Sequence, residues 1–222
     1  MPAKKVTVGV EVTPKKAFAS ALEWPGWTRA GKTPEAALEA LAASAPRYAE
    51  VARKAKLDFP FDASVRFDVV EEAEGNATTA FGAPDVRFEA DQRPTTAKDG
   101  ERLGAIVAAS YAVFDAVVAK APPTLRKGPR GGGRDRDKIV DHLVGSDGGY
   151  ARVLGLKGTE VDPRDVTSVA ELRKRMLEPI RNPSDGSPIA GKKWPPRYAA
   201  RRVAWHALDH AWEIEDRSDP AE

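Results

Sequence analysis

Val6, Val8, Val10 and Val12 occupy every second position at the start of the chain, with Thr7, Gly9, Glu11 and Thr13 between them. A period of two places the valines on one face of a β-strand and the polar residues on the other. A second apolar-rich stretch runs from Ala17 to Trp24. Trp24-Pro25-Gly26-Trp27 reads as a turn, Trp27 to Ala30 as a short third strand, and Val65 to Val70 alternates again as another. Thr33-Pro34-Glu35 supplies a helix start: a hydroxyl to cap it, a fixed φ at the first helical position and an acid at the positive end of the dipole. Leu38, Leu41 and Ala42 form its apolar stripe, and the helix is expected to run on toward Ala55.

From Glu71 to Gly100 the chain is acidic, then rich in Gly, Pro, Thr and Asp, as a connector is, with short strands expected at Ala80-Phe81 and Val86 to Glu89. Beyond it the period becomes helical. Leu103, Ile106, Val107, Tyr111, Phe114, Val117 and Val118 share one face of a helix stopped by Pro122-Pro123. Ile139, Leu143, Tyr150 and Leu154 mark a second helix, capped by Asp137 and closed by Gly155; Val169, Leu172, Met176 and Ile180 mark a third. A fourth starts near Pro195-Pro196, with Tyr198, Trp205, Leu208 and Trp212 on one side and Ala199, Val203, His206, His210 and Ile214 on the other. The pattern predicts an α+β N-terminal domain (a small sheet plus one helix) over 1–72, a connector over 73–94, an all-α four-helix bundle over 95–217 and a disordered tail over 218–222.

Composition narrows the function classes. The 222 residues carry a formal net charge of +2, too small by itself to imply nucleic acid or an anionic membrane. With no cysteine there is no disulfide, thiolate ligand or cysteine nucleophile. No stretch is expected to reach the roughly 18 apolar residues of a membrane span. The basic opening runs straight into the first strand rather than into a signal-peptide apolar region, so the expected location is the cytoplasm. A small-molecule ligand is the expected partner, and a homodimer is compatible with the pattern.

The histidines carry the chemistry. The chain has 3, and His206 and His210 lie four apart in the last helix, which projects both imidazoles from one face about a turn apart. Such a pair can grip one metal ion, with a third ligand needed from elsewhere in the fold, or it is an ordinary helical pair with one imidazole buried and one wet; His142 lies on the second helix. Around His142, the positions three, four and seven residues on are Gly145, Ser146 and Gly149. Each helical glycine costs about 1 kcal/mol relative to alanine, so the stripe serves either close helix packing or room for a ligand. Asp209 and Glu213 stand three residues after His206 and His210, as candidate catalytic residues that orient an imidazole or act as ligand or base.

Two resemblances follow. The Trp-Pro-Gly-Trp turn and the run Arg29-Ala30-Gly31-Lys32-Thr33-Pro34-Glu35-Ala36-Ala37-Leu38 resemble the HicB-like antitoxin fold over roughly Lys5 to Val70. That resemblance implies a binding or regulatory module; the DNA-binding extension of true antitoxins is not visible. The segments Lys138-Ile139-Val140-Asp141-His142-Leu143-Val144 and Trp205-His206-Ala207-Leu208-Asp209-His210-Ala211-Trp212-Glu213 resemble the DinB-like superfamily of metal-binding four-helix bundles, from about Thr95 to Arg217. Members take one histidine from the second helix and an HxxxH pair from the fourth to hold a divalent metal such as zinc or nickel. The resemblance implies that His142, His206 and His210 do so here, and that the reaction is a small-thiol-dependent transfer. The alternative is a non-catalytic binding or regulatory protein whose HicB-like module meets a partner.

Between the first two long helices, the glycine- and arginine-rich run from Arg126 to Lys138 reads as a solvated loop or as an anion-binding lid over the metal, with Arg130, Arg134 and Arg136 its candidate contacts. No Gly-x-Ser-x-Gly, dinucleotide or Walker pattern is present.

Overall fold

The alternating valines build β1 (Lys5–Thr13), which pairs antiparallel with β2 (Lys16–Ala21); β2 in turn pairs antiparallel with β3 (Thr28–Gly31). These assignments come from a computed structural model that describes residues 5–59, 66–127 and 133–218. β4 (Arg66–Glu74) lies parallel to β1 on its free side, giving the order β3-β2-β1-β4. A parallel neighbour needs a crossover, and α1 (Pro34–Ala43) and α2 (Ala45–Lys54) provide it. One helix was expected where there are two. Pro46 has no N–H to give, and its ring displaces the carbonyl four residues back, so the chain turns at Ser44. The start is as expected: the Thr33 hydroxyl accepts from the Ala36 N–H at 3.2 Å.

Both faces of the sheet are covered. Val6, Val8 and Val10 are buried in the same cluster as Leu41, Tyr48 and Val51 of α1 and α2. Trp27 stacks on Tyr48 with ring centres 5.5 Å apart, and its indole N–H donates to the Leu41 carbonyl at 3.0 Å. The other face, polar by pattern, is buried too. Glu11 is 0% exposed, and its carboxylate accepts the backbone N–H of Asp85 at 3.0 Å and of Val86 at 2.6 Å. Those bonds explain why Val86 to Glu89 is not the expected strand: its first amide goes to a side chain, not to a neighbouring strand. Ala80-Phe81, also expected as strand, closes the short helix α3 (Ala77–Phe81), which a reciprocal Asn76–Thr79 capping box starts. Phe88 lies on Gly9, where a Cβ would stand 2.7 Å from the ring.

Four long helices complete the chain: α4 (Ala97–Lys120), α5 (Arg136–Val153), α6 (Val166–Arg181) and α7 (Pro196–Arg217). α7 touches α4, α5 and α6, and α4 also packs on α2. The start of α5 differs from the expected Asp137 cap. Asp135 precedes the helix, and Asp137 sits inside the first turn, paired with Arg136 at 2.9 Å. α4 corrects a second expectation, because by length and composition it is apolar enough to cross a membrane, although half of its most apolar window is buried within the protein. The architecture is therefore α+β, a four-stranded mixed sheet with early helices followed by mostly helical chain.

The sheet and the long helices share α7. Gly26 has φ +88°, and a Cβ there would come within 2.9 Å of Ala204 and Leu208, so the Trp-Pro-Gly-Trp turn rests directly on that helix. Phe18 of β2 meets Trp205 edge-on at 6.3 Å. Arg47 of α2 pairs with Glu215 at 2.5 Å and Asp216 at 2.9 Å. Arg201 crosses to the chain after α3, binding Asp91 at 2.5 Å and the Val86 carbonyl at 2.9 Å. One buried cluster runs from the β1 valines through Leu103 to Ile214. Of the tail expected from 218, Ser218 ends α7 with its N–H on the Ile214 carbonyl at 2.9 Å; the rest lies outside the described residues.

Candidate metal centre

Pro196 opens α7 at a position where its missing N–H costs nothing, and ten residues later the helix delivers His206 into the interior. His206 and His210 are 6% and 8% exposed. Ile139 and Leu143 seat α5 in the core, which turns His142, between them in sequence, toward the same point. The three Nε2 atoms converge: His206 to His142 is 3.3 Å and His206 to His210 is 3.2 Å. Among the described residues this is the one group of three or more His, Asp or Glu placed to hold a metal, its donor atoms all within 4.8 Å of one another.

Hydrogen bonding alone does not satisfy this arrangement. A neutral imidazole has one N–H and one lone pair. The His210 Nδ1 lies 2.9 Å from a Glu213 carboxylate oxygen, so Nδ1 carries the proton and Nε2 the lone pair. The His206 Nε2 sits between two other Nε2 atoms and can donate to only one of them. If it accepts instead, its proton moves to a buried Nδ1 that has no partner among the described residues. A cation would use all three Nε2 lone pairs at once, which no hydrogen bond among them can do, while leaving the His206 Nδ1–H as it stands. Imidazole ligands at about 2.0–2.1 Å in tetrahedral array stand roughly 3.3–3.4 Å apart, close to the spacing found.

The electrostatics favour the neutral, ligating form. Burial pushes His206 well below the ordinary imidazole range, with the charges of His210, His142, Arg202 and Arg134 acting the same way. Burial also lowers His142, helped by His210 and Arg134. Glu213 is held below the usual carboxylate range, first by its hydrogen bond to His210. Its second oxygen accepts from Arg217 Nη1 at 2.6 Å.

The other candidates separate. Asp209, expected beside Glu213, gives its carboxylate to Arg29 of β3 at 3.6 Å rather than to an imidazole. Arg134 is exposed, has no carboxylate partner among the described residues, and its charge reaches His142 and His206. Arg136 is tied down, donating to the Ala121 carbonyl at 2.8 Å and to Asp137 at 2.9 Å. Arg130 lies outside the described residues. The glycine stripe is open: a Cβ on Gly145 would meet nothing within 4 Å and one on Gly149 only Arg152 Nη2 at 3.9 Å, whereas on Gly148, outside the stripe, it would stand 2.7 Å from the Thr159 carbonyl oxygen. Gly145 leaves space beside His142, and Gly148 serves packing.

Sequence reasoning missed Arg217, Arg29 and Tyr150, whose ring lies 5.6 Å from that of His206. Arg217 was findable, since it follows Glu213 by four residues, one helical turn. Arg29 was not, because only the tertiary fold brings β3 to α7. A groove of about 690 Å³ between α4, α5 and α6, floored by Phe114, Val118, Val140 and Val144, includes none of the histidines. Comparison of the chain with protein-family models, curated proteins and solved structures finds no match.

Proposed function

We propose that the chain is a metalloprotein in which His142, His206 and His210 hold one divalent ion, zinc or nickel, within a four-helix bundle formed by α4 to α7. The observation that carries this reading is the meeting of three Nε2 atoms at 3.2 and 3.3 Å, with no hydrogen-bond pattern among them that satisfies all three. Glu213 fixes the tautomer of His210 and acts as its outer-shell acceptor. Three imidazoles leave at least one position on the ion for a ligand, and a bound divalent metal would lower the pKa of a coordinated water or thiol toward neutrality.

The DinB-like resemblance puts small-thiol transfer first among reactions, with Arg134 receiving the anionic part of the thiol or its acceptor. Here the sheet serves as a HicB-like module that braces α7 through Arg29 and Arg47. Chelator-free purification followed by metal analysis tests the ion, and thiol-transfer assays on the loaded protein test the reaction. Metal without turnover across thiols and electrophiles would favour the rival reading, a non-catalytic binding protein. That reading draws on β4, the outer strand, where Val70 bulges out of register and is 54% exposed.

A further inference from the structure

The Glu213 carboxylate is held from two sides, and the second side leads away from the histidines. Arg217 Nη1 grips one oxygen at 2.6 Å while the other meets His210 Nδ1 at 2.9 Å. The same guanidinium donates through Nε to the Arg126 carbonyl at 2.8 Å, and the Arg126 N–H returns to the Arg217 carbonyl at 2.9 Å. Arg126 Nη2 adds a bond to the Asp216 carbonyl at 2.5 Å. From the far end of the same segment, Gly133 lies against the guanidinium: its φ is +119°, and a Cβ there would stand 2.6 Å from Arg217 Nη2. No other residue type fits that backbone and that contact together.

We propose that Arg217 is a positioning residue coupling Arg126 and Gly133, the described ends of the connection between α4 and α5, to the metal centre; this rests on the metal reading above. By fixing the Glu213 carboxylate it fixes the tautomer and ring angle of His210, and by seating Arg126 and Gly133 it sets where the neighbouring Arg134 stands. A link of this kind is reciprocal: if the seated segment favours metal, bound metal favours the seated segment by the same factor.

The full-length protein, stripped and reloaded with zinc, supplies the test. Arg217→Gln should weaken zinc affinity about 3- to 10-fold, less than the loss of the outer-shell acceptor Glu213 itself, because Arg217 acts one bond further from the ion. It should also move zinc release to higher pH, speed tryptic cleavage after Arg126 and Lys127, and abolish the slowing of that cleavage by zinc. Gly133→Ala should act in the same direction, because its new methyl displaces the Arg217 guanidinium, and it carries the test if Arg217→Gln does not fold. Arg217→Lys should restore the charge but not the Arg126 contact, recovering zinc affinity more than cleavage resistance. Zinc affinity within twofold of wild type in both Arg217→Gln and Gly133→Ala, or equal zinc protection of the segment, overturns the coupling and leaves the metal site standing. No zinc uptake by the wild type overturns both.

Discussion

α7 carries two buried polar centres less than two helical turns apart, and they are built on opposite principles. At Arg201 the protein closes its own account of hydrogen bonds. The guanidinium takes both oxygens of Asp91 and the Val86 carbonyl, sits over the rings of Phe88 and Tyr198, and shares its charge with Glu11, which is itself held by backbone N–H groups. At His206 the protein does the reverse: it brings three Nε2 atoms to one point and leaves a buried Nδ1 that has no partner among the described residues. Arg201 and His206 are both buried, although His142 is only partly so. What differs is whether the groups satisfy one another, and that separates a polar staple from a candidate ligand site.

The comparison breaks most visibly at the histidines. A structural zinc ion binds with about 10–16 kcal/mol across four ligands, so each ligand is worth roughly 3–4 kcal/mol. Replacing both His206 and His210 by alanine should therefore abolish stoichiometric zinc binding, measured by elemental analysis, while the fold persists by circular dichroism. At the staple the outcome should be the opposite. Asp91→Ala strands the buried Arg201 and should cost about 3–5 kcal/mol of stability, a fall in Tm of roughly 6–20 °C, with metal stoichiometry retained at low temperature. An intermediate effect belongs to Glu213→Gln, which should lower metal affinity about 10- to 100-fold by competition with a chromophoric chelator, with little change in Tm of the metal-free protein.

A third buried acid sharpens the contrast. Asp147 is buried between α5 and α6, hydrogen-bonded to Tyr111 at 2.9 Å and 3.7 Å from Arg173, and burial raises its pKa to about 7 against an ordinary 3.8. The native state then binds the proton more tightly than the unfolded chain. The contribution to stability is fullest below about pH 4 and is lost as pH rises to about 7, with a slope of up to about 1.4 kcal/mol per pH unit. Tm measured from pH 4 to 8 should show this component in the wild type, and the difference between wild type and Asp147→Asn should isolate it; an identical pH profile in the two would remove Asp147 from the account. The smallest effect is expected from Arg134→Gln, which should leave metal content unchanged and reduce the affinity of the loaded protein for acetate or phosphate about 3- to 10-fold, the worth of one partly exposed charge.

Much of this was legible in the chain. The valine period gave β1, Thr33-Pro34 gave the start of α1, and the four apolar stripes gave α4 to α7 within a few residues. His206 and His210 were legible because an i, i+4 pair shares one face of a helix, whereas His142 was placed with them by resemblance rather than by spacing. What escaped depended on tertiary contact. The split at Ser44 was readable from Pro46 but yielded to the strength of the apolar stripe. The segment 82–92 was misread because its order comes from Glu11 and Arg201, which lie far away in sequence. The alternation of β1 marks a polar face but not what covers it, since it cannot tell water from a second layer whose polar groups are matched. Asp209 and Glu213 looked equivalent on the helix; Arg29 on one and His210 on the other decide between them.

Everything about the site turns on whether three histidines hold one ion. The most direct measurement is the metal content of the full chain purified without chelators, then stripped and titrated with zinc and with nickel, beside the His206→Ala, His210→Ala double variant. The account predicts one equivalent per wild-type chain, lost on stripping and recovered on titration, and none in the double variant. A wild type that takes up neither metal, or a double variant that binds a full equivalent, would contradict it.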